Sequence, residues 1–377
     1  MNYVLQTISQ LRKADSFSID FHNTNRYRVV VNENNGSKTA YYFSSPIYNL
    51  HTRKAVDLKF ENKGSFVFAE GSNCTIAASD SVKFNNAEGS CILSLLHRID
   101  KFSEDQLLCG SDSIIPSLNG VVYKAHVKDK ESVTFELEVG TPFMHIRAND
   151  KYFSLMKEEF KPFVTVSCIG TVDGNGDIVA PAKITYQKLT DKNYSFTIYP
   201  YSCAGESVLF EVNLYEPKLF QDTTVESMHP TVNNAFGGVA FIGNTSDFGE
   251  QWLYSRPDCS KLSELMDKYI ESAILYFPKH GHSSINLAAY KVAARFCSFG
   301  SNWDNKIQMD NKILDVTNTE LYHSVDITSL VVDPITKGLG YSDGFILKSR
   351  DRGNRCSIIS TGDSYYRPIV LAINYNP

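Results

Sequence analysis

Val133-Thr134-Phe135-Glu136-Leu137-Glu138-Val139 alternates apolar and polar residues without a break. Successive side chains of a strand point to opposite faces, so this stretch predicts one buried face carrying Phe135, Leu137 and Val139 and one wet face. A helix would need apolar residues three and four apart, which the stretch does not offer.

Working outward, the same signal recurs with short spacing. Strands are predicted at Val164–Ile169, Ala182–Tyr186, Ser195–Tyr199 and Val208–Tyr215, separated by turn-forming clusters. Towards the N-terminus, Arg28–Val31 and Lys38–Phe43 flank Asn32-Glu33-Asn34-Asn35-Gly36-Ser37, the composition of a hairpin loop. Towards the C-terminus, strands are predicted at Ala273–Phe277, Leu287–Phe296, Ser324–Ser329, Gly344–Lys348, Ser357–Ser360 and Ile369–Tyr375. Helical periodicity appears in the opening residues (Val4, Ile8, Leu11) and in Leu262–Tyr269, and Ser103-Glu104-Asp105-Gln106-Leu107-Leu108 reads as a capped helical turn. Many short strands with frequent turns predict an all-β protein of tandem β-sandwich domains, the last jelly-roll-like, with a few short helices.

At 377 residues the chain has room for roughly two or three domains. A Ser/Gly/Asp-rich stretch near 109–120 and Glu216-Pro217-Lys218 suggest a division into 1–112, 113–218 and 219–377. The net charge of −5 offers no basic stripe for displacing counterions from nucleic acid, so nucleic acid is not an expected partner. No apolar run reaches membrane-spanning length, and Met1-Asn2-Tyr3-Val4-Leu5-Gln6 lacks the basic-then-apolar pattern of a Sec signal. The eight cysteines contain no C-x-x-C and several sit in apolar runs, which predicts buried free thiols and synthesis in the cytoplasm.

Motifs for chemistry are sparse. Asp173-Gly174-Asn175-Gly176-Asp177 resembles a calcium loop, but an EF-hand needs Gly at its sixth position and Glu at its twelfth, where Ile178 and Ile184 stand. A tight hairpin turn explains it better. His280-Gly281-His282 lacks a third ligand at fixed spacing and reads as a loop. No G-x-S-x-G, P-loop or dinucleotide fingerprint is present. No catalytic residue, metal or cofactor is therefore predicted. The functional candidates are flat aromatics beside polar groups, since sugars lay C–H faces on rings and direct hydroxyls at donors and acceptors. Trp252, Tyr254 and Arg256 alternate along one predicted strand; Trp303 with Asp304, and Tyr365 with Tyr366, lie in loop-like surroundings. Packing of both tryptophans in a sandwich core is the competing reading. Asp326 and Thr328 read as groups that satisfy nearby backbone.

The last block carries a sequence of local patterns: Asn233-Asn234-Ala235-Phe236-Gly237-Gly238 leading to Val239–Ile242; Trp252-Leu253-Tyr254-Ser255-Arg256; Glu271-Ser272-Ala273-Ile274-Leu275-Tyr276; Phe299-Gly300-Ser301-Asn302-Trp303; Asp326-Ile327-Thr328-Ser329-Leu330; Gly344-Phe345-Ile346-Leu347; and Arg367-Pro368-Ile369-Val370-Leu371, ending in Tyr375. In this order residues 220–377 resemble the DNRLRE-domain family, a jelly-roll β-sandwich of carbohydrate-binding-module type. The family's first strand and Arg-containing signature have no plain counterpart here, and residues 1–218 resemble no family. The resemblance implies a carbohydrate-binding-like domain. With no secretion signal in view, it suggests a non-catalytic binding or structural protein of an extracellular particle or surface (virion fibre or decoration, injection system, spore), with self-association or particle subunits as partners besides glycan. The alternatives are a secreted or cell-surface polysaccharide-binding adhesin and a polysaccharide-active enzyme.

Overall fold

Val133–Val139 is a strand with Phe135, Leu137 and Val139 buried and Thr134, Glu136 and Glu138 exposed. It occupies the middle of an antiparallel sheet in a computed structural model that describes residues 3–44, 47, 56, 58–70, 74–127, 132–140, 145–201, 206–214, 219–281, 285–362, 364 and 366–377. The chain is all-β and of sandwich type, in two compact units: Ile47–Glu216 with Met1–Val4, and Leu5–Pro46 with Pro217–Pro377.

In the first unit, the Val133–Val139 sheet runs in the order Ala182–Lys188, Asn193–Pro200, Val133–Val139, Gly89–Ser94, Ser81–Asn86, Thr75–Ala78, Val67–Glu70 and Glu61–Asn62. A second antiparallel sheet runs His145–Ala148, Tyr152–Glu158, Lys161–Val172, Ser207–Leu214, Gly120–His126, Asp112–Ser117, Leu107–Cys109 and Lys101–Phe102, with Ile178–Ala180 beside Lys161–Val172. One apolar core lies between them. Its centre is aromatic: Tyr123 and Phe210 from the second sheet meet Phe135 and Phe196 from the first at ring separations of 4.8 to 5.6 Å. The boundary expected near residue 112 falls inside this single sandwich, because Gly89–Ser94 pairs with Val133–Val139.

The Asp173–Asp177 stretch forms a hairpin turn. The Asp173 carboxylate accepts from the amides of Asn175 and Asp177 at 2.9 and 3.0 Å, and Gly176 supplies the positive φ of +85° that the turn needs.

The second unit takes strands from both ends of the chain. Its first sheet runs Ser18–Ile19, Arg28–Asn32, Lys38–Phe43, Val370–Asn376, Tyr269–His280, Tyr322–Asp326 and Val316–Asn318. The hairpin of Arg28–Asn32 and Lys38–Phe43 pairs Asn32 with Lys38 across the expected loop. Lys38–Phe43 then pairs along its whole length with Val370–Asn376. The other sheet contains Cys356–Ser360, Val239–Thr245, Gly249–Pro257, Phe345–Ser349, Leu287–Val292 and Met309–Leu314, with Phe220–Glu226 on the free side of Gly249–Pro257. The long strand Tyr269–His280 serves both sheets, its last two residues pairing with Ile359 and Ile358. Leu253, Leu275, Phe345 and Leu371 share the core between the sheets with Val30, Ala40 and Tyr42.

Two local readings change. Cys259–Leu265 is a 3-10 turn started by Asp258, whose side chain accepts from the Ser260 amide, and by Tyr269 the chain is already strand. The stretch expected to be strand over Ser324–Ser329 splits into the strand Tyr322–Asp326 and the helix Thr328–Thr336. Its β-branched residues, Val331, Val332 and Ile335, suit a strand by propensity, but Leu330, Val331 and Ile335 are buried in the core from one helical face. The Asp326 carboxylate accepts from the Thr328 amide at 2.9 Å and its hydroxyl at 2.6 Å, the local satisfaction expected of this pair.

Candidate functional site

Gly249–Pro257 is buried on both faces. Leu253 points into the main core, so the alternate residues Trp252, Tyr254 and Arg256 share the opposite face, as their spacing predicts. That face is covered rather than open. A small second core of Val225, Trp252, Tyr254, Val292, Phe296 and Ile346 forms there, with Trp303, Ile307 and Met309 packed against it.

The three residues differ in what they offer. Tyr254 is fully buried; its hydroxyl donates to the carbonyl of Ile307 at 2.7 Å, and burial raises its pKa. Arg256 is buried over the Phe296 ring and donates to Gln221 Oε1. Burial first, and then the nearby Arg295, lower its pKa. Trp252 is buried, and its indole N–H donates to Glu250 Oε1 at 2.8 Å.

Trp303 stands half-buried against Trp252, ring centroids 5.1 Å apart and planes at 53°. Its loop is pinned by side chains. Asn233 Nδ2 donates to the carbonyls of Ser298 and Ser301 at 2.6 and 2.7 Å. Asn302 and Asn305 each accept from the other's backbone amide, and Asn305 also donates to the Gly300 carbonyl. The Asp304 amide donates to the Pro230 carbonyl, while its carboxylate is exposed. The Asn-rich opening of the block thus holds the tryptophan loop in place.

Two lysines complete the surroundings. Lys306 Nζ lies 4.2 Å from the centroid of Trp303 and 5.8 Å from that of Trp252, and donates to the Trp303 carbonyl at 3.0 Å. Lys348 Nζ lies 5.1 Å from Trp252 and 5.6 Å from Tyr290. Lys306, Lys348, Tyr290 and Glu250 escape a reading by sequence because cations beside aromatics are common in any strand-rich chain. Only strand register brings Lys348 next to Trp252: Leu253 pairs with Leu347.

Tyr366 is placed elsewhere, half-buried and stacked on His280 at 5.8 Å, with the Arg367 guanidinium 5.5 Å from its ring centroid. Tyr365, His282 and Cys203 lie outside the described residues, as does the Glu216-Pro217-Lys218 connector. His280 is buried and hydrogen-bonds Ser360 Oγ at 3.0 Å. Among the described residues, no group of three or more His, Cys, Asp or Glu side chains could hold a metal, and no helix is long and apolar enough to cross a membrane. The seven cysteines among them are free.

No protein-family model and no curated protein matches the chain in sequence.

Proposed function

We propose that the chain is a non-catalytic binding protein of a surface or extracellular particle, and that its second unit binds glycan on the Trp303–Trp252 platform. The observation that carries this is a half-exposed Trp303 leaning on Trp252 and held by a loop that Asn233, Asn302 and Asn305 fasten. A ring fixed before the ligand arrives loses little freedom on binding. Glu250 and Asp304 beside it are exposed carboxylates able to accept from sugar hydroxyls. The DNRLRE-like order of patterns over 220–377 belongs to the same proposal. Tyr254 and Arg256 act in it as packing beneath the platform.

A catalytic reading finds less support. The Ser–His pairs of this unit, His323 with Ser357 and His280 with Ser360, are buried, and Nδ1 of His323 has no partner to orient it as a triad would require.

The test is direct because the chain has two tryptophans and both stand at this site. Titration of the full chain with a broad glycan panel should change tryptophan emission, with a matching calorimetric signal that Trp303→Ala abolishes. A folded chain that binds no glycan would sink the reading. Display on a particle would make weak single contacts useful through multivalency, and is checked by the host fraction in which the native protein is found.

A further inference from the structure

We infer that the platform takes an acidic glycan, one whose sugars carry carboxylates; the inference rests on the glycan reading above and names its ligand class. Lys306 and Lys348 both bring their ammonium groups within 5.8 Å of the Trp252 ring centroid. Among the described residues neither is ion-paired: Lys306 bonds only the Trp303 carbonyl besides its ring contacts, and Lys348 has ring contacts alone. The nearby Glu250 carboxylate is engaged by the Trp252 indole N–H at 2.8 Å and pairs with neither lysine.

A single lysine over a tryptophan needs no ligand to explain it, since the ring quadrupole attracts a cation. Two ammonium groups beside one indole, neither with a carboxylate partner, form a place where an anionic group gains two charge-assisted contacts at once. Both lysines are half-buried, which weakens screening by solvent. A sugar carboxylate meets the requirement: its ring stacks on the exposed part of Trp303 while the carboxylate meets the ammonium groups. A neutral glycan leaves the pair of charges unused. A nucleic acid could also stack and ion-pair, but two lysines on a chain of net charge −5 give no basic track along which a polyphosphate backbone could run.

The test uses the full chain, a panel of uronate- and sialate-bearing glycans, the same glycans with their carboxyls methyl-esterified, and a single-stranded oligothymidylate. Acidic forms should bind at least about fivefold tighter than their esters, a preference that fades as salt rises. The double variant K306Q/K348Q should bring acid and ester affinities together, and K306R/K348R should restore the gap; an unchanged thermal midpoint establishes that each variant folds. Equal affinity for acid and ester, a preference that survives K306Q/K348Q, or tighter binding to the oligonucleotide each overturns the inference while a glycan signal would leave the platform standing. Absence of binding to every glycan removes the platform reading as well.

Discussion

His323 Nε2 lies 2.7 Å from Ser357 Oγ, with both side chains wholly withdrawn from solvent. His280 repeats the relation with Ser360 one strand away. Burial, and then the neighbouring Lys279, hold His323 at a pKa of about 4 instead of 6.5. Burial, and then Arg367, hold His280 at about 3. Both folded values lie below the unfolded one, so the unfolded chain takes up protons first as pH falls. The stability that these neutral rings contribute is complete above about pH 6.5 and is lost as pH drops through the folded values. Each histidine should give a slope of about 1.4 kcal/mol per pH unit in that window. Urea unfolding followed by tryptophan emission, which reports the second unit, should be insensitive to these groups above about pH 7 and weaken from about pH 6.5 towards pH 4. His323→Gln keeps a hydrogen-bonding group near the Nε2 position and cannot titrate. It should remove one histidine's share of the slope, and an unaltered slope would show that His323 is not held neutral.

The pairing of Lys38–Phe43 with Val370–Asn376 bears on how the second unit can be isolated. A fragment beginning at residue 219 lacks this partner and Val30, Ala40 and Tyr42 from its core. It would expose six residues of unpaired strand edge, a template for association with other chains. Residues 219–377 expressed alone should therefore aggregate or remain incompletely folded, and co-expression of residues 1–46 should rescue a soluble complex. Sedimentation and circular dichroism decide it. A monodisperse, cooperatively unfolding 219–377 fragment would show that the N-terminal strands are dispensable.

Whether a feature shows in the sequence depends on the range of the interaction that creates it. Val133–Val139 was legible because burial of one strand face imposes period two on seven consecutive residues. The turn at Asp173–Gly176 was legible because its carboxylate and its glycine act locally. The path of residues 18–43 was not, because pairing of Lys38 with Tyr375 leaves no mark at either position beyond ordinary strand composition. Thr328–Thr336 was hidden for a related reason: Val331, Val332 and Ile335 favour a strand, and the tertiary core overrides them. At the candidate site the shared face of Trp252, Tyr254 and Arg256 follows from alternation. That residues 296–309 cover this face, and that Lys306 and Lys348 reach it, follows from loop path and register, which no local pattern encodes.

Substituting the aromatic centre of the first unit tests whether its two sheets are held as one sandwich. Phe135 contacts Tyr123 and Phe210 across the core and Phe196 within its own sheet. Phe135→Ala removes a fully packed ring and leaves a cavity, at a cost of about 3–5 kcal/mol. Phe135→Leu should cost distinctly less, since it refills most of the volume. This loss should appear as a lower midpoint in unfolding followed by far-ultraviolet circular dichroism. A Phe135→Ala chain as stable as the parent by circular dichroism would mean that the sheets do not share this core.

Asn233 is the residue through which the opening of the block controls the platform. Its side-chain amide gives two short hydrogen bonds to the Ser298 and Ser301 carbonyls, five and two residues before Trp303. Each is worth about 1 kcal/mol net, and losing both leaves two carbonyls to find water. Asn233→Ala should lower the stability of the second unit by about 1–2 kcal/mol in urea unfolding. More tellingly, it should release Trp303 from Trp252, shifting tryptophan emission to longer wavelength in the folded protein and weakening glycan binding through the cost of reordering the loop. Asn233→Asp retains the shape but turns a donor into an acceptor facing two carbonyls, and should be at least as damaging. If Asn233→Ala costs stability while emission and glycan affinity stay at the parent values, the residue is a staple for the fold only, and the platform owes its order to Asn302 and Asn305.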